Sequence, residues 1–167
     1  MKIHVYPDPV LRERARAVAQ RDIGPALEDL AREMIETMRS ARGVGLAANQ
    51  VGKTVRIAVV GSTEEGGSPR VLLNPTVKAR KGLIFEEEGC LSIPGINAKI
   101  RRYENVLVEA MNLQGKKFQI EASGVLARAL QHEIDHLAGV LLIDRLSPAA
   151  RLTCKTVLAD LEARAKS

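Results

Sequence analysis

The apolar positions of this chain change period along its length, and the changes divide it into elements. From about Pro25 to Ser40, Leu27, Leu30, Ala31, Met34, Ile35 and Met38 recur at helical spacing and form one apolar face. Pro25 suits a first helical position and Gly43 lies just beyond the end, so a core-packing helix is predicted. Val55 to Val60 is a largely β-branched and apolar run interrupted only by Arg56, hence a strand, and Gly61 to Pro69 is polar and glycine-rich, hence an exposed loop. Val71-Leu72-Leu73 and Leu83-Ile84-Phe85 are short strand candidates; between Asn74-Pro75 and Lys81-Gly82 the chain is expected to turn or to run along an edge. Val106, Val108 and Ala110 alternate with Leu107, Glu109 and Met111; Gln114-Gly115 turns, and Lys116 to Glu121 returns as the second arm of a hairpin. Ser123 can cap a second helix that runs to about Ala138, with Gly139 as its stop. One flank of that helix carries Leu126, Leu130, Ile134 and Leu137; another carries Val125, Ala129, His132 and His136. From Pro148 onward Cys154, Val157, Leu158 and Leu161 again keep helical spacing. The predicted class is α+β: antiparallel strands and hairpins packed around the second helix, with an N-terminal helix and a C-terminal helix.

Length and composition narrow the setting. At 167 residues and 18.2 kDa, residues 1–167 suit a single domain with a proper core. No stretch approaches the roughly 18 consecutive apolar residues of a membrane span. The opening MKIHVYPDPVLRERAR has no apolar signal region, so a cytoplasmic location is expected and no membrane partner. The formal charge is +5, but aromatic residues make up only 2%, too few for base-stacking platforms. A basic, solvated surface is expected, without sequence-specific nucleic-acid recognition. Cys90 and Cys154 do not make a disulfide framework in a chain of this size; Cys154 reads as a small core residue. His4 reads as a surface or partly packed side chain.

The chemistry concentrates in His132-Glu133-Ile134-Asp135-His136. Two histidines four apart project from one helix face and can grip one divalent ion, while Glu133, rotated by about 100°, reaches a water beside that ion without being a ligand. A catalytic metal of this kind needs a third protein ligand. The extended peptidase pattern would place a histidine at position 142, which is Leu142. A glutamate from a later helix is a second option, and Glu162 is available. Cys90 is a third: it sits in a non-helical segment between a glycine and an apolar residue, and its softness suits a Cys-His-His site. Position and softness favour Cys90 over Glu162 without excluding it. Gly43-Val44-Gly45-Leu46-Ala47-Ala48-Asn49-Gln50-Val51-Gly52 matches no phosphate-binding pattern and, read alone, is a tight loop between helix and strand. Val125 and Ala129 lie along the histidine face and would floor a pocket for an unbranched apolar side chain.

Three stretches, Gly43–Gln50, Glu88-Gly89-Cys90-Leu91-Ser92 and Gln131–His136, resemble the three signature motifs of bacterial peptide deformylases, in that family's order and separation. The opening Tyr6-Pro7-Asp8-Pro9 and the stretch Leu141 to Pro148 share the likeness, which extends over nearly the whole chain. The resemblance implies removal of the formyl group from the N-terminal formylmethionine of nascent polypeptides, with release of formate. It implies Cys90, His132 and His136 as ligands of one divalent metal, ferrous iron in the cell with Zn2+ or another ion as substitutes. It further implies Glu133 as general base and acid, Gln50 and the Leu91 backbone N–H as oxyanion donors, and Gly45 as a backbone contact to substrate. Val44, Val125 and Ala129 would surround the methionine side chain. The basic tail, with Arg151, Lys155, Arg164 and Lys166, would suit contact with the ribosome. Two other readings of the same residues are a zinc peptidase using Glu162 and a closed structural or sensory metal domain, which has no need of Glu133.

Overall fold

The computed structural model describes residues 1–62 and 67–166. Residues 63–66, within the loop expected at 61–69, lie outside the described residues. Helix α1 (Pro25–Ser40) opens on proline and buries Leu27, Ala31, Met34, Thr37 and Met38. Its end is a Schellman motif: the Gly43 N–H donates to Met38 O and the Arg42 N–H to Arg39 O, both at 2.9–3.0 Å. The left-handed position of that motif belongs to Arg42, with φ 55°, not to the glycine that follows it. A side chain there costs about 1–2 kcal/mol relative to glycine.

The glycine-rich stretch then forms β1 (Gly45–Ala47) and a turn of 3-10 helix over Ala48–Val51. β1 is the first of five antiparallel strands: β2 (Ile57–Val60), β3 (Arg70–Lys81), β6 (Asn105–Met111) and β7 (Lys117–Ser123) continue the sheet in the order β1-β2-β3-β6-β7. β2 is buried throughout because both faces of the sheet are covered. Ile57 and Val59 pack with Met34 and Met38 of α1, and Val60 packs with Ala127, Ala129 and Leu130 of helix α2 (Gly124–Leu137). The expected turn after Leu73 is a bulge: β3 continues through Asn74 (φ 51°) and Pro75 with shifts of register against β6. Proline cannot donate to a ladder, and a bulge is where a strand tolerates it. The Asn74 side chain holds the irregularity by bonding the N–H and carbonyl of Val18 at 2.9 and 2.8 Å.

A separate two-stranded sheet pairs β4 (Ile84–Gly89) with β5 (Asn97–Arg102), and β4 carries the acidic run Glu86-Glu87-Glu88. β5 is an element the hydrophobic pattern did not isolate, because lysine and arginines interrupt a short alternation of Ala98 and Ile100. α2 follows β7 with no intervening loop. Ser123 stands at its N-cap but makes no side-chain capping bond, being also the last paired residue of β7. The far end of α2 is the predicted glycine stop: Gly139 has φ 75°, Val140 N–H donates to Asp135 O and Gly139 N–H to His136 O. The tail is two helices, α3 (Pro148–Thr153) and α4 (Lys155–Arg164), broken at Cys154, where one was expected. Cys154 and Leu161 are buried against Leu11, Ile93, Ile96, Ile100 and Leu141. The tail thus backs the loop that follows β4.

Candidate metal centre

The N-terminal segment, without regular structure up to the 3-10 turn that Pro9 opens, pins two distant loops at once. His4 N–H donates to Gln50 O at 2.7 Å, and Tyr6 N–H donates to Ser92 O at 2.9 Å. Between those loops runs α2, whose first half packs on the sheet and whose second half presents His132, Glu133 and His136, all buried. Tyr6 also settles Glu162, its hydroxyl donating to that carboxylate at 2.7 Å. Glu162 therefore stands away from the histidines, bound to the N-terminal segment.

Cys90, His132 and His136 bring three ligand atoms within 4.8 Å of one another. Cys90 Sγ is 3.2 Å from His136 Nε2, which is 3.2 Å from His132 Nε2. Two imidazole lone pairs and a sulfur facing each other this closely need a proton or a cation between them. In a tetrahedral set with bonds of about 2.0–2.3 Å, ligand atoms are separated by roughly 3.3–3.7 Å, so the cluster fits a divalent ion of that size. Glu88 accepts from His132 Nδ1 at 2.9 Å, which leaves Nε2 as the lone-pair nitrogen facing the cluster. Without a metal the two rings titrate apart. Burial alone would lower His132, but Cys90 and Glu88 outweigh it and raise it to about 10; burial and the neighbouring His132 keep His136 well below the ordinary histidine value.

An ion network unanticipated from sequence braces this cluster. Arg102, from β5 and 4% exposed, donates twice to Glu88 at 2.9 Å and once to Asp135 at 2.6 Å; Asp135 also takes Arg145. Burial alone would raise Glu88, yet the guanidinium of Arg102 and the ring of His132 pull it down to about 2. The alternation Ala98, Ile100, Arg102 was the available signal, since it places Arg102 on the inward face of a strand.

Glu133 is 3% exposed and its Oε2 has no protein partner among the described residues. Burial pushes this carboxyl up to about 7, against the opposing pull of His132. It lies directly over Gly45, where an added Cβ would collide with the carboxylate. At Gly43 a Cβ would come within 2.8 Å of the Leu91 side chain. These two glycines therefore allow close packing of the three motif segments. Gln50, 1% exposed, accepts from the Ala47 N–H at 2.9 Å and donates to Ser92 Oγ at 3.2 Å, which turns its amide nitrogen toward Cys90, 3.9 Å away. Among the described residues the Leu91 N–H has no hydrogen-bond acceptor.

A cavity of about 410 Å³ opens over these groups. Val44, Gly45, Gln50, Cys90, Leu91, Val125, Ala129, His132 and Glu133 line it, and His136 lies behind the lining. Val44 and Val125 are 59% and 49% exposed, apolar surface without a partner in the folded chain. All ten residues expected at the site thus gather around one cavity. Arg42, Glu88, Asn97 and Arg128 also line it and were not expected there.

The profile of the polypeptide deformylase family matches residues 1–152. The chain is similar to the peptide deformylase of Thermodesulfovibrio yellowstonii, 48% identical over 153 residues, covering 90% of this chain and 92% of that one. It is 44% identical over 158 residues to the peptide deformylase of Neisseria gonorrhoeae, covering 95% and 93%. Among solved structures, a peptide deformylase from Legionella pneumophila superposes with a TM-score of 0.89 at 39% identity, over 99% of this chain and 96% of that one. Peptide deformylase 1B of Arabidopsis thaliana, in complex with an inhibitor, superposes at 0.93 with 36% identity, over 99% and 92%.

Proposed function

The chain belongs to the polypeptide deformylase family, and we propose that Cys90, His132 and His136 hold its metal while Glu133 carries the proton. The reaction is hydrolysis of the formamide at the N-terminal formylmethionine of a nascent polypeptide, which gives formate and a free amine. A divalent ion in the Cys-His-His set supplies the Lewis acidity that brings a water's pKa toward neutrality and polarises a carbonyl. Glu133, with a carboxyl near 7 in the metal-free protein, takes the proton from the attacking water as its oxygen bonds to the formyl carbon. The formyl oxygen then carries the developing negative charge. One Gln50 N–H is engaged by Ser92; the second, which makes only a long contact of 3.9 Å to Cys90 Sγ, would turn to that oxygen together with the Leu91 N–H. Glu133 returns the proton to the amide nitrogen, the C–N bond breaks, and the amine leaves.

The substrate backbone would lie between β1 and β4, whose outer edges have no strand partner among the described residues and which both contribute to the cavity. Gly45 would meet it with main-chain groups, and Val44, Val125 and Ala129 would hold the methionine side chain. We assign ferrous iron as the cellular metal, with zinc as a substitute that the same thiolate and imidazoles accept. Residues 1–167 are read as one catalytic unit. No described helix is long and apolar enough to cross a membrane, and the cytoplasm, where nascent chains appear, is the assigned location. The exposed Arg151, Lys155, Arg164 and Lys166 of the tail are assigned to ribosomal contact.

The observation that carries this reading is the meeting of three atoms able to ligate a metal with a buried Glu133, whose Oε2 has no partner among the described residues, on one cavity wall. Its test is formate release from formyl-Met-Ala-Ser by anaerobically prepared, iron-loaded protein. Turnover that disappears in Cys90→Ala together with the bound metal is expected; no release from fully metallated protein defeats the reading.

A further inference from the structure

Two guanidinium groups line the cavity without any part in the chemistry above. Arg42 precedes β1, and Arg128 lies on α2 beside Ala129. Among the described residues the Arg42 side chain makes no hydrogen bond or ion pair, and Arg128 makes one bond, from Nη1 to the Glu87 main-chain carbonyl at 2.8 Å. That bond ties α2 to β4 and holds Arg128 half-buried against the wall, leaving its charge unmatched. No ion pair joins either arginine to a carboxylate among the described residues. Glu88 is bound to Arg102 and His132, Glu133 is buried in the centre, and the exposed Glu87 stands opposite Lys99 in the β4–β5 ladder without pairing to either arginine. The fold gives no reason for an arginine at position 42, since the left-handed position it occupies is one that glycine fills without strain.

We propose that Arg42 and Arg128 bias the enzyme toward formylmethionyl chains that carry an acidic side chain in the two residues after the methionine. This rests on the cavity being the deformylase site. A peptide lying between the edges of β1 and β4 passes between the segment that carries Arg42 and the helix that carries Arg128. A carboxylate in that stretch meets two cations that form no ion pair among the described residues. Each contact is solvent-accessible, so the bias has the size of exposed ion pairs, about two- to five-fold. It acts on binding, so it is read in KM rather than kcat.

The test compares amide-capped peptides, so that no terminal carboxylate imitates the side chain: formyl-Met-Asp-Ala against formyl-Met-Asn-Ala, and formyl-Met-Ala-Glu against formyl-Met-Ala-Gln. The expected result at low salt is a kcat/KM ratio of about two to five in favour of the acid in at least one pair. That ratio should fall toward one at about 0.5 M salt, where exposed charges are screened. In Arg42→Gln with Arg128→Gln it falls toward one at low salt, and in Arg42→Lys with Arg128→Lys it persists. Each ratio compares two peptides on one enzyme, so a general loss of activity from cutting the tie to β4 does not move it. Ratios of one in the unaltered protein, or an acidic preference that survives the double glutamine substitution, overturn the proposal. Absence of formate from the neutral peptides as well defeats the deformylase reading on which it rests, whereas neutral turnover with ratios of one defeats the acidic preference alone.

Discussion

At the scale of single residues, the centre depends on what is missing at position 45 as much as on what is present at 133. Gly45 sits in extended backbone that any residue can adopt, so only the space taken by Glu133 forbids a side chain there. In Gly45→Ala the chain is expected to fold while the carboxylate is displaced, and kcat falls by roughly 100-fold, the scale of a misplaced reacting group. Circular dichroism and formate release measure the two effects separately. Glu133→Gln keeps the volume and removes the proposed proton carrier; kcat is expected to fall by about 10²–10⁴-fold, with metal content by elemental analysis unchanged. His132, Glu133 and His136 were legible because helix spacing alone gathers them on one side of α2. Cys90 was legible as a candidate only, since periodicity does not say where a loop after a strand will lie. Tyr6 holds Glu162 to the N-terminal segment, a contact across 156 positions of sequence that no local pattern displays.

At the scale of elements, α2 is fixed at its C-terminal end more firmly than at its start. Gly139 closes the helix with φ 75°, and a Cβ there would collide with the main-chain carbonyl of Arg12. Gly139→Ala is therefore expected to lose about 2–4 kcal/mol, from left-handed strain plus overpacking, read as a lower urea midpoint at unchanged slope. The start of α1 and the end of α2 were legible because proline and glycine act locally, whereas the break between α3 and α4 at Cys154 has neither residue to mark it. β5 was obscured, and β3 shortened, for a different reason: pairing with a partner strand overrode the weak local signals of Asn97–Arg102 and of Asn74-Pro75.

At the scale of the whole molecule, stability and the centre are joined through the buried ions. Glu88 has a folded pKa of about 2 against an ordinary 4.5. A depressed carboxylate stabilises the fold above its unfolded value, and that contribution is lost as pH falls from about 4.5 toward 2. An acid limb on the order of 3 kcal/mol is expected from this group, measured as unfolding free energy between pH 5 and pH 2. Arg102→Met would leave Glu88 and Asp135 without their shared cation, and a loss of about 3–5 kcal/mol is expected by the same measurement at pH 7. The α+β class, the central helix and its floor of Val125 and Ala129 could be read from the chain alone. The brace around the ligands could not, because it joins β4, β5 and α2 by charges that sequence patterns place on solvated faces. Within that brace the two arginines and two carboxylates cancel, and Arg102, Glu88 and Asp135 are largely withdrawn from water. Arg145 is 45% exposed, but added salt has little access to the three enclosed members. The ionic-strength response of turnover is thereby a reporter of the cleft's outer charges, free of interference from the ions that hold the histidines in place.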